Sequence, residues 1–164
     1  MLPTNVVYIG LGSNLGNRLE NLEKAYSLIE QNIGKIEKKS SVYVSPPWGF
    51  EAKEDFYNSV IKLKTQLDPY SIMIILQKIE IGMGRVKSTG ENYESRIIDL
   101  DIIDFGGLLV NIKDLVLPHP QMHLRKFVLI PLNEIEPIWI HPIFKLSAIE
   151  LLKRIRTDDF IEKI

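Results

Sequence analysis

The nine residues Arg96-Ile97-Ile98-Asp99-Leu100-Asp101-Ile102-Ile103-Asp104 constrain this chain more than any other stretch. The run is apolar and rich in β-branched residues, long enough for a strand and short for a helix. Side chains alternate faces along a strand. Asp99 and Asp101 therefore share one face, roughly 7 Å apart along the backbone, and Ile98, Leu100 and Ile102 point the other way, into a core. Two carboxylates on one face of a mostly buried strand repel each other and lose hydration. Either one takes up a proton or a cation sits between them. An all-oxygen pair suits Mg²⁺, which commonly takes one or two carboxylates plus substrate phosphates. The alternative is a solvated strand face with two ordinary acids.

A length of 164 residues is enough to bury a core around such a strand, and it predicts a single domain over residues 1–164. The apolar share of 45% and charged share of 25% are those of a soluble globular protein. A net charge of −1 leaves no basic field for nucleic acid or an anionic membrane surface. With no cysteine, thiolate catalysis, disulfides and cysteine metal sites are excluded. The three histidines, His119, His123 and His141, are too scattered for a zinc site, and His123 and His141 read as structural or surface groups. No apolar run is long enough to span a membrane and the N-terminus lacks a signal-peptide pattern, so a cytoplasmic protein is expected.

Asn5 to Gly12 reads as a buried first strand. The Ser13-Asn14-Leu15-Gly16-Asn17 turn follows, then a helix from about Arg18 to Gln31 with Leu19, Leu22, Ala25, Tyr26 and Ile29 at helical spacing. Gly10, Gly12 and Gly16 fit neither the dinucleotide fingerprint nor a P-loop. They mark a tight turn or a close backbone approach to a ligand. Lys35 to Ser45 is predicted as the second strand, stopped by Ser45-Pro46-Pro47-Trp48-Gly49-Phe50. The aromatics of this loop either cap the core or wall a pocket for a flat ligand.

Asp55 to Thr65 is the third strand, with Phe56, Asn58 and Val60 on one face. The pair Phe56 and Asn58 is either routine sheet packing or a stacking platform beside an amide that reads a heterocycle's edge. Asp68-Pro69 opens a second helix with an apolar face of Ile72, Ile75, Leu76 and Ile79. Gly82 or Gly84 ends it, with Gln77 and Glu80 near that end. The polar segment Gly84 to Arg96 reads as a lid, a binding loop or a disordered stretch. It brings Arg85, Lys87 and Arg96 to the paired aspartates, the cations a polyphosphate needs. Asp104 to Val110 reads as a hairpin into an edge strand, and Leu115 to Pro120 as extended. Gln121 to Glu136 is predicted helical with an interruption at Pro131, and Leu146 to Ile155 as a closing helix before a fraying tail. The order predicts an α+β, ferredoxin-like βαββαβ antiparallel sheet with helices on one face and a C-terminal extension. That fold hosts many functions.

Gly12-Ser13-Asn14-Leu15, Ser45-Pro46-Pro47 with Gly49, Gly84-Arg85, Arg96 to Ile102, and Pro118-His119-Pro120 with Arg125 and Phe127 occur in an order that resembles the 6-hydroxymethyl-7,8-dihydropterin pyrophosphokinases. The resemblance runs from about Val6 to Glu136. It implies an enzyme that transfers diphosphate from ATP to the pterin hydroxymethyl oxygen in folate biosynthesis, releasing AMP. By the same resemblance Asp99 and Asp101 hold two Mg²⁺ ions. Arg85, Arg96, His119 and Arg125 contact phosphates, with Arg85 and Arg96 among the catalytic groups. Gln77, Glu80, Lys87 and Ile102 lie at the nucleotide. Phe56 and Phe127 sandwich the pterin ring, which Asn58, Gly12, Ser45, Pro46, Pro47, Trp48 and Asp99 also line and Tyr93 covers. The substrates are ATP and 6-hydroxymethyl-7,8-dihydropterin, with neither nucleic acid nor membrane involved. A monomer is expected, with a functional link to dihydropteroate synthase. Pro120, Ser88, Asp114 and Trp48 depart from the residues frequent in that family. The alternative is a non-enzymatic ferredoxin-like module that binds a small molecule.

Overall fold

The structure, a computed structural model, describes residues 2–85 and 95–164. Lys87, Ser88 and Tyr93 lie outside the described residues. Strand β1 (Asn5–Ser13) is followed by α1 (Arg18–Asn32), β2 (Ile36–Lys39), β3 (Tyr43–Ser45) and β4 (Phe56–Thr65). Helix α2 (Pro69–Gly82) then leads to β5 (Asp99–Phe105). The main sheet runs β5-β1-β4-β3-β8, where β8 is Glu162–Lys163, with β2 also on β4, and its pairings are antiparallel. With β2 and β3 taken as two parts of one strand, this is the ferredoxin-like order.

Local chemistry explains the elements. Asn17 caps α1 by accepting from Glu20 N–H, and Asp68 caps α2 by accepting from Ser71 N–H, with Pro69 at the first position. The expected strand from Lys35 to Ser45 is divided at residues 40–42. There the Ser40 hydroxyl takes the Val60 N–H at 2.9 Å, so a side chain interrupts the ladder.

The two faces of the sheet are covered differently. Val7, Ile9, Leu11, Ile61, Leu63, Ile98, Leu100 and Ile102 bury against α1 and α2 through Leu22, Ala25, Ile29, Ile72 and Leu76. The isoleucine and leucine side of β5, which forms one edge of the sheet, is thus the core side, as its alternation predicts. On the opposite face Tyr8, Val60 and Ile103 pack with Val128, Leu129 and Leu132 of α3 (Lys126–Ile135), and with Trp139 and Leu151. The C-terminal extension therefore covers the second face. It leaves open the end of that face where Asp99 and Asp101 sit.

Several expectations for this half are corrected. Val110 does not return as a hairpin onto β5. It begins β6 (Val110–Ile112), which pairs with β7 (Leu115–Leu117) in a separate ribbon whose Leu115 and Leu117 are buried. The predicted helix from Gln121 is interrupted at Arg125, not Pro131. A 3₁₀ turn at Met122–Leu124 precedes an extended Arg125, and α3 continues through a buried Pro131 whose packing outweighs its missing bond. The closing helix is shorter than predicted. Leu146 accepts a backbone bond from His141 and Ser147 bridges Ile140, so α4 (Ala148–Leu152) starts only after the Ser147–Glu150 capping box. The tail does not fray, since β8 (Glu162–Lys163) pairs with β3 and Ile164 N–H bonds the Val42 carbonyl at 2.9 Å. Among the described residues, no helix is long and apolar enough to cross a membrane.

Candidate active site

Sheet register assembles the site. On β1, Gly12 lies opposite Asn58 of β4 on one side and Asp99 of β5 on the other, and Gly10 lies opposite Asp101. Directly opposed residues of an antiparallel pair share a face. The two glycines therefore leave a hollow among Asn58, Asp99 and Asp101. A Cβ on Gly12 would come within 3.3 Å of Asn58 Oδ1 and 3.4 Å of the Phe56 ring. The missing side chain at Gly12 thus keeps the space beside Asn58 and Phe56 free of protein atoms.

Two cavities meet here. One is lined by Gly12, Ser45, Pro46, Trp48, Phe56, Asn58, Asp99 and Phe127 among the expected residues. Phe50 joins them and meets Phe56 edge-on, with centroids 6.0 Å apart. Pro47 is not part of this lining, although its neighbours Pro46 and Trp48 are. The second cavity is lined by Gln77, Glu80, Arg85, Ile102 and His119, together with Asp114 and Pro120. Arg96, Asp99, Asp101 and Arg125 line both. Ser59, Ile103 and Val128 in the first cavity and Met73, Leu76, Lys113 and Gln121 in the second were not expected there from the sequence, and Gly10 was read as a close-approach glycine but not as a lining residue. Only Gly10 carried a usable signal, sitting two residues before Gly12 on the same strand face.

The Asn58 amide nitrogen donates to Ser45 Oγ at 2.7 Å and to the Tyr43 carbonyl at 3.3 Å. Its oxygen is left facing the hollow as an acceptor. The Arg125 guanidinium lies 4.6 Å from the Trp48 ring centroid and 5.6 Å from that of Phe127, bridging the aromatic and cationic cavities.

Charge is concentrated at the shared wall. Arg96 Nη1 donates to Asp99 Oδ1 at 2.8 Å, and Arg85 stands 3.5 Å from the same oxygen. Burial, then the neighbouring Asp99 charge, push the Asp101 carboxyl up to about 7, against the pull of Arg125, Arg96 and Arg85. A carboxylate this reluctant to ionise beside a second one is a fitting all-oxygen donor pair for a hard dication. Among the described residues there is no cluster of three or more histidine, aspartate or glutamate side chains that could hold a metal. Phosphate oxygens would have to complete a magnesium's coordination. His119 is neutral, its pKa pushed down to about 4 by burial and then by Arg125. Its Nδ1 accepts the Gln121 N–H at 3.1 Å, so Nε2 carries the ring proton and is a donor. Glu80 is turned away from solvent. One carboxylate oxygen accepts the Leu100 N–H at 2.9 Å and the other pairs with Arg85. Its place is thus behind Arg85, tying that arginine to β5.

Residues 8–137 match the family described as 7,8-dihydro-6-hydroxymethylpterin-pyrophosphokinase, HPPK. The chain belongs to the HPPK family. The match runs from β1 through α3, so α4 and β8 lie beyond it. The chain is 42% identical over 139 residues to 2-amino-4-hydroxy-6-hydroxymethyldihydropteridine pyrophosphokinase of Porphyromonas gingivalis, covering 84% of this chain and 94% of that protein. It is 41% identical to the protein of the same description from Aquifex aeolicus, covering 85% of each. Folic acid synthesis protein FOL1 of Dictyostelium discoideum is 37% identical over 144 residues, and there the aligned region spans only 22% of the longer protein. A crystal structure of Plasmodium falciparum HPPK-DHPS with pteroate superposes with a TM-score of 0.79 at 19% identity, over 94% of this chain and 45% of that one. The HPPK fold is therefore shared by single-unit proteins of this length and by longer fused chains.

Proposed function

We propose that this chain, acting as one domain, transfers diphosphate from ATP to the hydroxymethyl oxygen of 6-hydroxymethyl-7,8-dihydropterin. The hydroxymethyl oxygen gives up its proton to solvent and bonds to the β-phosphorus, the bond from that phosphorus to the α-phosphate oxygen breaks, and AMP departs. One observation carries the reading: an aromatic cavity and a cationic cavity share a wall made of Arg96, Asp99, Asp101 and Arg125. A flat acceptor in the first and a polyphosphate in the second would meet at that wall.

Each group has a role in this reading. Phe56 and Phe127 stack on the pterin ring, and the Asn58 oxygen accepts from the ring's N–H edge. Trp48 closes the aromatic side, with Tyr93 as the proposed cover. Gln77, Ile102 and Lys87 flank the nucleotide. Arg85, Arg96 and Arg125 neutralise charge on the transferred group, and the neutral His119 donates a hydrogen bond from Nε2. Asp99 and Asp101 would hold two magnesium ions, which when bound supply Lewis-acid neutralisation of the triphosphate. Phosphoryl transfer of this kind depends on positioning and electrostatics more than on covalent help from the protein. The fused relatives support a functional link to dihydropteroate synthase.

The test mixes protein, ATP, MgCl₂ and the pterin, then separates nucleotides by chromatography. AMP equal to the pterin diphosphate formed is the expected result, abolished in Asp99→Ala. ADP would make the chain an ordinary kinase. Pterin binding without any nucleotide change would make it a binding module.

A further inference from the structure

The turn between β1 and α1 lines neither of the two cavities of the site, yet it holds the ends of two segments that do. Asn14 is fully buried. Its Oδ1 accepts the Arg96 N–H at 2.6 Å and its own N–H donates to the Arg96 carbonyl at 3.0 Å. Its Nδ2 donates to Ser95 Oγ at 3.1 Å and to the Glu54 carbonyl at 3.5 Å. Four residues on, Arg18 donates from Nη1 to the Asp55 carbonyl at 2.8 Å and stacks 3.9 Å from the centroid of Tyr57. The turn itself is braced, because Asn21 Nδ2 donates to Ser13 Oγ and to the Leu15 carbonyl.

We infer that Asn14 and Arg18 are positioning residues of the site, Arg18 for its pterin half and Asn14 for both halves. Arg18 pins residue 55, where the aromatic loop re-enters β4 one residue before Phe56. Asn14 pins both backbone groups of Arg96 and so places the guanidinium that meets Asp99. Arg18 therefore governs the pterin side, and Asn14 governs the phosphate side as well. Neither touches substrate. The assignment rests on the proposed function, because it is the pterin and ATP that read the two sides.

The test measures pterin affinity without nucleotide, by quenching of tryptophan fluorescence, and then steady-state kinetics. Arg18→Ala is expected to weaken pterin binding and raise its KM by about 10-fold. Its kcat and its KM for ATP stay within about twofold of wild type, as expected when binding rather than transition-state stabilisation is lost. Arg18→Lys keeps a cationic donor for the Asp55 carbonyl and recovers most of the loss. Asn14→Ala is expected to lower kcat by about 100-fold through misplacement of Arg96. Should Asn14→Ala fail to fold, Asn14→Asp keeps the acceptor for the Arg96 N–H and is expected to retain more kcat than pterin affinity. Arg18→Ala with unchanged pterin affinity, or with kcat and both KM values altered alike, overturns the inference. Wild-type protein that binds pterin but makes no AMP overturns only the proposed function, since the binding assay still reads Arg18. Wild-type protein that binds no pterin overturns both.

Discussion

At the scale of single residues, the site depends on what is absent as much as on what is present. Gly12 stands between Asn58 and Asp99 and contributes no side chain, so the acceptor oxygen of Asn58 is left open. Gly12→Ala puts a methyl group against that oxygen and against Phe56. It is predicted to raise the pterin KM by about 10-fold, the order that one misplaced methyl imposes on a fitted pocket, with the melting temperature little changed. Steady-state kinetics and a thermal melt check both halves. Asp99 and Asp101 were legible in the sequence because a strand's period of two is unambiguous in an alternating run. The roles of Asn14 and Glu80 were not legible. Both act on backbone groups distant in sequence, Arg96 for one and Leu100 for the other, and nothing local announces such a partner.

At the scale of elements, the two long helices follow their own propensities, whereas the strand between them is broken by a neighbour. Both long helices carry side-chain caps that mark their starts, which is why α1 and α2 begin where the sequence places them. The break between β2 and β3 depends on a contact 20 residues away, the Ser40 hydroxyl with the Val60 N–H, whereas β6 turns back on the neighbouring β7 and α4 is shortened by the local Ser147–Glu150 capping box. Gly34, between α1 and β2, is an element-scale constraint of a different kind. A Cβ there would lie 2.1 Å from the Lys64 carbonyl oxygen, closer than any rotamer change can relieve. Gly34→Ala is predicted to cost about 1–3 kcal/mol by overpacking, which is several degrees in Tm for a chain of this size. Catalytic constants of the folded fraction should be unchanged, because Gly34 is remote from both cavities. Thermal melts and kinetics below the transition distinguish the two effects.

At the scale of the whole molecule, the extension after β5 completes the domain by covering the second face of the sheet. One electrostatic cluster joins the two parts. Glu136, just past α3, accepts from Lys62 of β4 at 2.5 Å and from the Tyr8 hydroxyl at 3.4 Å, with Lys38 at 3.7 Å. The Lys62 hydrogen bond, the largest cause, holds the Glu136 carboxyl below its ordinary value of 4.5. A carboxylate depressed in the folded state contributes stability fully above its unfolded value and loses it as pH falls through the folded one. Lys62→Met is therefore predicted to melt below wild type at pH 7, with the gap closing as the pH drops from 5 to 3. A gap that is constant across that range would show that the lysine acts through packing alone. The ferredoxin-like order was legible as a succession of elements, whereas the closure of the second face was not, because it joins residues more than 70 positions apart, such as Lys62 and Glu136. The central claim, that acceptor and polyphosphate meet at the wall of Arg96, Asp99, Asp101 and Arg125, is tested most directly by following one phosphorus atom. Protein is incubated with the pterin, MgCl₂ and ATP carrying ³²P at the β position. The label is expected to leave the nucleotide and appear in the pterin product, with unlabelled AMP released. Label retained as ADP would contradict it.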